Sequence, residues 1–324
     1  MLLLNLGTPN GTDYWSMRRY LSEFLSDPRI IELPKALWQP ILQGIILTVR
    51  PGRSGKAYAK IWNSERDESP LRTYTRAIAE KMSAGMAADR PEVVVDHAMR
   101  YGDPSTGSVI RKMIASGCDR LLLVPLYPQY SAATTATACD QAFRQLMQER
   151  WQPAVRTAPA WYDDPEHIDL LAQSVERAYA RLDAEPDVLV VSFHGLPKEY
   201  FEKGDPYHCH CAKTARLLRE RLGWPEDRLI MAFQSRFGPK EWLQPYADET
   251  IRDLAARGKK HVAMISPGFV ADCVETLEEL AIGLEEEFHA AGGETFTYIP
   301  CLNDDDDHVA FLRRLVEREL GGWI

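Results

Sequence analysis

The sequence has no apolar run long enough to cross a bilayer, since a spanning helix needs about 20 consecutive apolar residues. Its most apolar early stretch, residues 37–49, is interrupted by a proline, a glycine and two glutamines. It also has no basic segment behind Met1 of the kind that opens a secretory signal. We therefore expect a cytoplasmic protein, with peripheral contact to a membrane as the alternative location.

Basic residues are outnumbered, with 38 Lys and Arg against 47 Asp and Glu, which leaves a formal net charge of −9. No basic block interrupts this balance, so we expect no nucleic-acid partner. Cysteine is scarce, with six in 324 residues. Without an export signal, this number indicates a reducing compartment and no disulfide framework.

Several motifs that carry common chemistries are missing. The chain has no P-loop and no Gly-x-Gly-x-x-Gly, so phosphoryl transfer and hydride transfer lack their usual markers. The 209–211 segment, Cys-His-Cys, invites a metal interpretation, but structural zinc sites pair two such groups and no second pair exists. An iron–sulfur cluster needs four thiolates, two of which would have to come from distant positions.

Short continuous apolar runs alternate with longer segments of helical period, a pattern typical of strands buried on both faces of a parallel sheet. The sequence therefore predicts an α/β fold. The runs predicted as strands are 2–6, 93–97, 121–124, 188–193, 229–233, 262–266 and 296–299.

The chain contains an internal echo, because the predicted strands 2–6 and 188–193 are both followed by Gly-x-Pro. We interpret this as two similar Rossmann-like halves, residues 1–185 and 186–324, related by duplication. The first half is longer, and the excess falls within about residues 11–71. This insert is rich in aromatic and aliphatic residues, so it forms either extra core helices or an apolar lip over a ligand cleft.

Two residues near the carboxyl ends of predicted strands are candidates for catalysis, since ligands of doubly wound folds bind at that edge. His194 follows a buried strand and is well placed as a base or metal ligand, although a lone His is more often a turn residue. Glu275 is either a partner carboxylate or part of a capping box with Asp272. Together His194 and Glu275 would make a weak, open metal site, better suited to passing a metal on than to keeping it.

Nine short motifs, in this order along the chain, resemble those of the ferrochelatases of haem biosynthesis. They cover most of the chain and are LNLGTP (4–9), FLSDP (24–28), ESP (68–70), RYG (100–102), YPQYS (127–131), SFHGLP (192–197), GDPY (204–207), FQSR (233–236) and ETL (275–277). The resemblance implies a lyase with two Rossmann-like domains that inserts Fe²⁺ into protoporphyrin IX to give protohaem.

The resemblance also implies roles for individual residues. His194 and Glu275 match the family's catalytic histidine and carboxylate, which also bind the metal, and this favours function over the structural interpretations given above. Leu6, Tyr127, Trp242 and Phe269 match positions that line the porphyrin pocket. Further positions, near the propionates and the rim of the porphyrin, are matched by Arg50, Tyr58 and Ser69.

The chain departs from animal members of the family at three points. Cys273 stands where they have a second site histidine, Ala132 stands where cluster-bearing members have a cysteine, and no cysteine-rich tail follows Ile324. We therefore expect Fe²⁺ as substrate, with a [2Fe–2S] cluster as the disfavoured alternative. We also expect a monomer that makes at most a transient contact with a membrane or another haem-pathway enzyme.

Three other functions stay open at this stage. A coproporphyrin ferrochelatase would share these motifs, and so the identity of the porphyrin is less constrained than the reaction. A different small chelatase, such as a cobalt-inserting one, would use additional site histidines. A porphyrin carrier would share the two halves but would not need His194 together with Glu275.

Overall fold

A computed structural model describes all 324 residues, which pack into two compact units. Unit 1 comprises residues 1–127, 131–159 and 309–324, and unit 2 comprises residues 128–130 and 160–308. The predicted division between residues 185 and 186 concerns the duplication and remains a prediction.

Unit 1 contains a four-stranded parallel sheet with strand order β2-β1-β3-β4. Its strands are β1 (Leu2–Gly7), β2 (Asp96–Tyr101), β3 (Arg120–Pro125) and β4 (Ala154–Thr157). The central strands β1 and β3 are almost wholly buried, as their continuous apolar sequences predict.

Unit 2 contains a second parallel sheet, with order β6-β5-β7-β8. Its strands are β5 (Val188–His194), β6 (Leu229–Gln234), β7 (His261–Ile265) and β8 (Thr295–Ile299). In each sheet the first strand of the unit pairs with the second and the third, and the fourth extends the edge. This shared order confirms the predicted α/β class with two similar parallel sheets.

The glycines of the two Gly-x-Pro motifs have the same steric role in each unit. A Cβ on Gly7 would lie 1.8 Å from the backbone oxygen of Tyr101, and one on Gly195 would lie 2.7 Å from that of Gln234. Because glycine has no Cβ, each of them lets the chain pass in direct contact with the backbone at the end of the neighbouring strand. The echo seen in the sequence thus has a common steric cause.

Helices follow the strands in both units. Unit 1 has α1 (Tyr14–Leu25), α2 (Lys35–Ile41), α3 (Leu47–Ile61), α4 (Pro70–Asp89), α5 (Thr106–Ala115) and α6 (Thr137–Leu146), with π-helical turns at Leu42–Ile46 and Ala132–Ala136. Unit 2 has α7 (Pro165–Tyr179), α8 (Lys198–Glu202), α9 (Tyr207–Leu222), α10 (Ala247–Ala256) and α11 (Glu285–Ala290), with a π-helix at Glu275–Leu284 and a 3₁₀ turn at Glu226–Arg228. The last helix, α12 (Asp306–Leu320), lies mostly in unit 1.

The insert at residues 11–71 consists of α1, α2, α3 and the π-helical turn between the latter two. It contributes buried side chains such as Met17 and Leu47 to unit 1. It also leaves apolar side chains exposed at four-residue intervals, namely Leu33, Leu37, Ile41, Ile45 and Val49. The segment thus has a buried and an exposed apolar part, and a lip over a ligand cleft stays a prediction. No helix of the protein combines the length and the hydropathy that crossing a bilayer would require.

Candidate functional site

The carboxyl edge of the sheet in unit 2 carries both candidate catalytic residues. His194 is the last residue of β5, and Glu275 is the first residue of the π-helix that follows the neighbouring strand β7. Because β5 and β7 run parallel, their carboxyl ends meet at one edge of the sheet. The connection from β7 to Glu275 includes Phe269, another predicted site residue.

The tautomer of His194 follows from its hydrogen bond. Its Nδ1 lies 2.6 Å from the backbone oxygen of Gly195. A carbonyl oxygen only accepts, so Nδ1 carries the proton and donates it. The lone pair of the neutral ring therefore sits on Nε2, which is the atom able to accept a proton or bind a metal.

The helix that begins at Glu275 is π-helical over ten residues. Long π-helical stretches are rare, and those that persist are frequent at functional sites. The capping box expected between Asp272 and Glu275 is wrong. The backbone N–H of Asp272 donates instead to Asn303 Oδ1 at 2.8 Å, and its carboxylate accepts from Thr276 and Asn303. The carboxylate of Glu275 is thereby released from a capping role.

A second carboxylate, Glu279, lies behind Glu275. Burial, and then the negative charge of Glu275, raise the pKa of Glu279 to about 7. Its carboxylate accepts hydrogen bonds from Ser235 Oγ and, at 3.5 Å, from Gln234 Nε2. Near neutral pH the carboxyl of Glu279 therefore readily gains or loses a proton.

Trp242 and Phe269 both lie next to the elements that carry His194 and Glu275. A ring carbon of Trp242 lies 3.2 Å from where a Cβ on Gly195 would be, directly after His194. The indole N–H donates to the backbone oxygen of Phe237 at 3.0 Å, which fixes the ring. Phe269 is half-buried and its backbone N–H donates to Ser266 O. The structure thus gathers four of the predicted site residues at one edge of unit 2.

The other predicted site residues lie in unit 1. Leu6, near the end of β1, packs against the core cluster that contains Tyr127. The hydroxyl of Tyr127 is buried and has no hydrogen-bond partner. Tyr58 is buried in α3, with its ring centroid 6.5 Å from that of Tyr20.

Ser69 and Arg50 occupy different settings within unit 1. Ser69 is almost fully buried and caps α4, because its side chain accepts from the backbone N–H of Arg72. Arg50 lies in α3 and is half-buried. The capping contact gives Ser69 a structural role that the sequence motif alone does not indicate.

The cysteine-containing segment 209–211 does not assemble a ligand cluster. Cys209 is exposed and Cys211 is buried, so the two thiols point to different surroundings on α9. The imidazole of His210 stacks on Tyr162 at a centroid distance of 3.6 Å, and its Nδ1 accepts from the backbone N–H of Tyr130. No group of three or more His, Cys, Asp or Glu side chains in the protein is arranged to hold a metal ion.

Gln234 and Ser235 also belong to the site, although their sequence motif alone indicates no role for either residue. Both belong to the segment 233–236, FQSR, which is one of the nine family motifs in the sequence. Gln234 ends β6 beside His194 in the sheet, and Ser235 follows it with a φ of 66°. Their position after a buried strand was the only signal in the sequence that they belong to the site.

Known proteins resemble this chain over most or all of its length. The family model described as Ferrochelatase matches residues 1–320. A protein of Allorhizobium ampelinum named ferrochelatase is 60% identical over all of this chain and 94% of its own length. A protein of the same name from Rhodobacter capsulatus is 59% identical, over all of this chain and 93% of its own length. Among solved structures, SirB from Bacillus subtilis with Fe³⁺ is similar in fold, with a TM-score of 0.53 at 14% identity, covering 78% of this chain and 94% of that one.

Proposed function

The chain belongs to the ferrochelatase family and is therefore a metal-inserting lyase, and we propose that its reaction is the insertion of Fe²⁺ into protoporphyrin IX to give protohaem, the terminal step of haem biosynthesis. The observation that carries the assignment of roles is the convergence of His194 and the Glu275 helix on one edge of the sheet in unit 2. Fe²⁺ enters this scheme as a substrate.

Insertion replaces two pyrrole N–H protons of the porphyrin by one Fe²⁺, so the site must accept two protons for each metal inserted. We assign the first to Nε2 of His194, which is the free base of a ring oriented by Gly195. The pKa of Glu279, raised to about 7, suits it to hold a proton in exchange with solvent. Glu275 is then the residue whose carboxylate attracts Fe²⁺ and replaces part of its hydration shell.

The planar macrocycle directs its nitrogen lone pairs into the ring, where an incoming metal cannot reach them. Bending the ring exposes these lone pairs, and contacts with its remote edges supply the strain. The apolar positions Leu6, Tyr127, Trp242 and Phe269 fit such contacts, and the polar positions Arg50, Tyr58 and Ser69 fit the propionates and the rim. These roles rest on the family motifs and on the burial of the side chains concerned.

We also propose a cytoplasmic monomer. The apolar side chains that α2, the π-helical turn after it and α3 expose at four-residue intervals, from Leu37 to Val49, fit a transient contact with a membrane surface. Basic residues in the same helices, Lys35, Arg53 and Lys56, would favour an anionic lipid headgroup. Sedimentation with liposomes, at low and high salt, tests this contact.

Anaerobic conversion of protoporphyrin IX with Fe²⁺, followed by absorbance, tests the reaction. We expect turnover by the wild type, its loss in His194→Ala and a large decrease in Glu275→Ala. Coproporphyrin III in a parallel assay distinguishes the two porphyrins by their kcat/KM. A wild type that binds porphyrin but never metalates it, with Fe²⁺, Zn²⁺ or Co²⁺, would refute the proposed activity.

A further inference from the structure

Gln234 joins the two catalytic elements through its backbone and its side chain. It is the residue paired with His194 in the ladder between β5 and β6, and its backbone oxygen accepts from the N–H of Gly195 at 2.8 Å. Its side-chain Nε2 donates to the backbone oxygen of Glu275 at 2.6 Å. One buried side chain therefore connects the strand end beside the base to the first residue of the π-helix.

The orientation of the Gln234 amide is determined by its surroundings. Nε2 donates to the carbonyl oxygen of Glu275, which can only accept, and lies 3.5 Å from the carboxyl of Glu279. The other end, Oε1, accepts from Ser192 Oγ at 2.8 Å. Ser192 is itself held, because its backbone oxygen accepts from Ser266 Oγ at 2.9 Å. Every polar atom of the amide is thus engaged, and the reversed amide would place its oxygen against the carbonyl oxygen of Glu275.

The bond to Glu275 matters because it is made at the first residue of the π-helix. The helix has no side-chain cap, and its first residue carries the carboxylate assigned to Fe²⁺. We propose that Gln234 is a positioning residue for metal insertion, one that fixes the carboxylate of Glu275 relative to the imidazole of His194. This inference rests on the proposed function, and it assigns to Gln234 no contact with porphyrin or metal.

A matched pair of substitutions tests the inference. Gln234→Met keeps the length of the side chain and removes its hydrogen bonds. The control is Gln145→Met in α6, because Gln145 is also buried, accepts from Arg111 and donates to Glu149, and lies outside the site residues. We expect kcat to fall about 100-fold in Gln234→Met, the loss that a displacement of about 1 Å produces. The KM for porphyrin should stay within about threefold of the wild-type value, and Gln145→Met should keep its kcat.

A double-mutant cycle separates positioning from a general structural role. If Gln234 acts through Glu275, then Gln234→Met should cause almost no further loss of kcat in a Glu275→Ala background. A kcat retained by Gln234→Met, or a loss of the same factor in both backgrounds, would overturn the inference. Should Gln234→Met fail to fold, Ser192→Ala replaces it, since it frees Oε1 and should lower kcat about tenfold with KM unchanged.

The inference and the proposed function fail in different ways. Absence of turnover by the wild type removes the function and leaves the contact testable by hydrogen exchange. Loss of the bond to Glu275 then predicts faster amide exchange over residues 275–280 in Gln234→Met than in the wild type, with no change there in Gln145→Met. Equal exchange in all three proteins would overturn the inference.

Discussion

The hydroxyl of Ser235 donates a hydrogen bond to the carboxylate of Glu279, from a backbone held in the left-handed region with a φ of 66°. A serine in this conformation is uncommon, since the left-handed region favours glycine. The contact therefore gives a reason for the conformation, because it directs the hydroxyl into the π-helix. Gln234, the last residue of β6, and Ser235 after it thus hydrogen-bond to the π-helix at Glu275 and Glu279.

The carboxyl of Glu279 predicts a dependence of stability on pH. Its pKa is raised from 4.5 to about 7 in the folded protein, so the fold favours the protonated form. Between these values the folded state binds more protons than the unfolded state, and stability falls as the pH rises. This shift in the pKa of Glu279 lowers the free energy of unfolding by about 3 kcal/mol above pH 7, compared with its value at acidic pH.

We expect Glu279→Gln to remove this decrease in stability at high pH, because the amide imitates the neutral carboxyl. Its melting temperature should be higher than that of the wild type at pH 8 and similar at pH 5. Thermal unfolding monitored by circular dichroism across this range measures the difference. Glu286→Gln, at an exposed position of α11, is the control and should follow the wild type. Parallel curves for Glu279→Gln and the wild type would contradict the expectation.

Two buried histidines have the opposite effect, because they predict that stability falls as the pH decreases below about 6.5. Burial lowers the pKa of His167 to about 3 and that of His308 to about 4, and the nearby His308 contributes to the shift at His167. Both rings are neutral in the fold, whereas the unfolded chain takes up protons below about pH 6.5. The contribution of these two histidines to stability is therefore complete above pH 6.5, and each pH unit below that value lowers it by about 1.4 kcal/mol per histidine until the folded pKa is reached.

In the variant His167→Leu, the decrease in stability per pH unit below pH 6.5 should be about half that of the wild type, because one of the two titrating histidines is absent. Melting temperatures between pH 4.5 and 7.5 provide the test, with His289→Gln at an exposed position as the control. If the slope between pH 5 and 6 were the same in His167→Leu as in the wild type, His167 would not titrate as the structure indicates.

The sequence predicts the sheets well and the site only in part. Continuous apolar runs identify seven of the eight strands, because burial on both faces leaves a clear pattern. The strand Ala154–Thr157 is missed, since it is an edge strand of four residues with exposed ends and no apolar run. The predicted strand 93–97 begins at Asp96 in the structure, because residues 93–95 precede the pairing with β1.

His194 and Glu275 can be predicted as site residues from sequence because each follows a predicted strand within a motif. The role of Gln234 was not, because it depends on β6 pairing with β5 and on the place where the π-helix starts. Local sequence also cannot distinguish a π-helix from an α-helix here, since the apolar positions of residues 275–290 satisfy helical spacing in general. The capping box failed for the same reason, because Asn303, a residue distant in sequence, takes the N–H of Asp272.

Tyr127 and Tyr101 form a natural pair for testing a buried hydroxyl. The hydroxyl of Tyr101 donates to Asp27 at 2.8 Å, whereas that of Tyr127 has no partner. Tyr101→Phe should destabilise the protein by about 1–3 kcal/mol, while Tyr127→Phe should be neutral or stabilising. Urea unfolding of both variants measures the contrast, and equal destabilisation by the two would contradict it. Because Tyr127 is assigned an apolar contact with the porphyrin, which a phenylalanine ring retains, fluorescence titration with porphyrin should show similar binding by Tyr127→Phe and the wild type.

The six cysteines give a test of the cluster question that does not depend on activity. Burial raises the pKa of Cys139 to about 11 and holds the pKa values of Cys211, Cys273 and Cys301 well above the ordinary range. Thiolates are the ligands of iron–sulfur clusters and also the species that reacts with disulfide reagents. In the native protein we therefore expect one fast-reacting thiol, the exposed Cys209, followed by the half-buried Cys118.

Labelling with a chromogenic disulfide reagent counts the thiols in each kinetic phase, and Cys209→Ser should abolish the fast phase alone. A [2Fe–2S] cluster would protect Cys209 and three further thiols and would add visible charge-transfer bands to protein purified without oxygen. Four protected thiols together with those bands would reverse the expectation that the chain carries no cluster. A single fast thiol with a featureless visible spectrum would instead agree with Cys209 at the surface of α9 and Cys211 sealed within the unit.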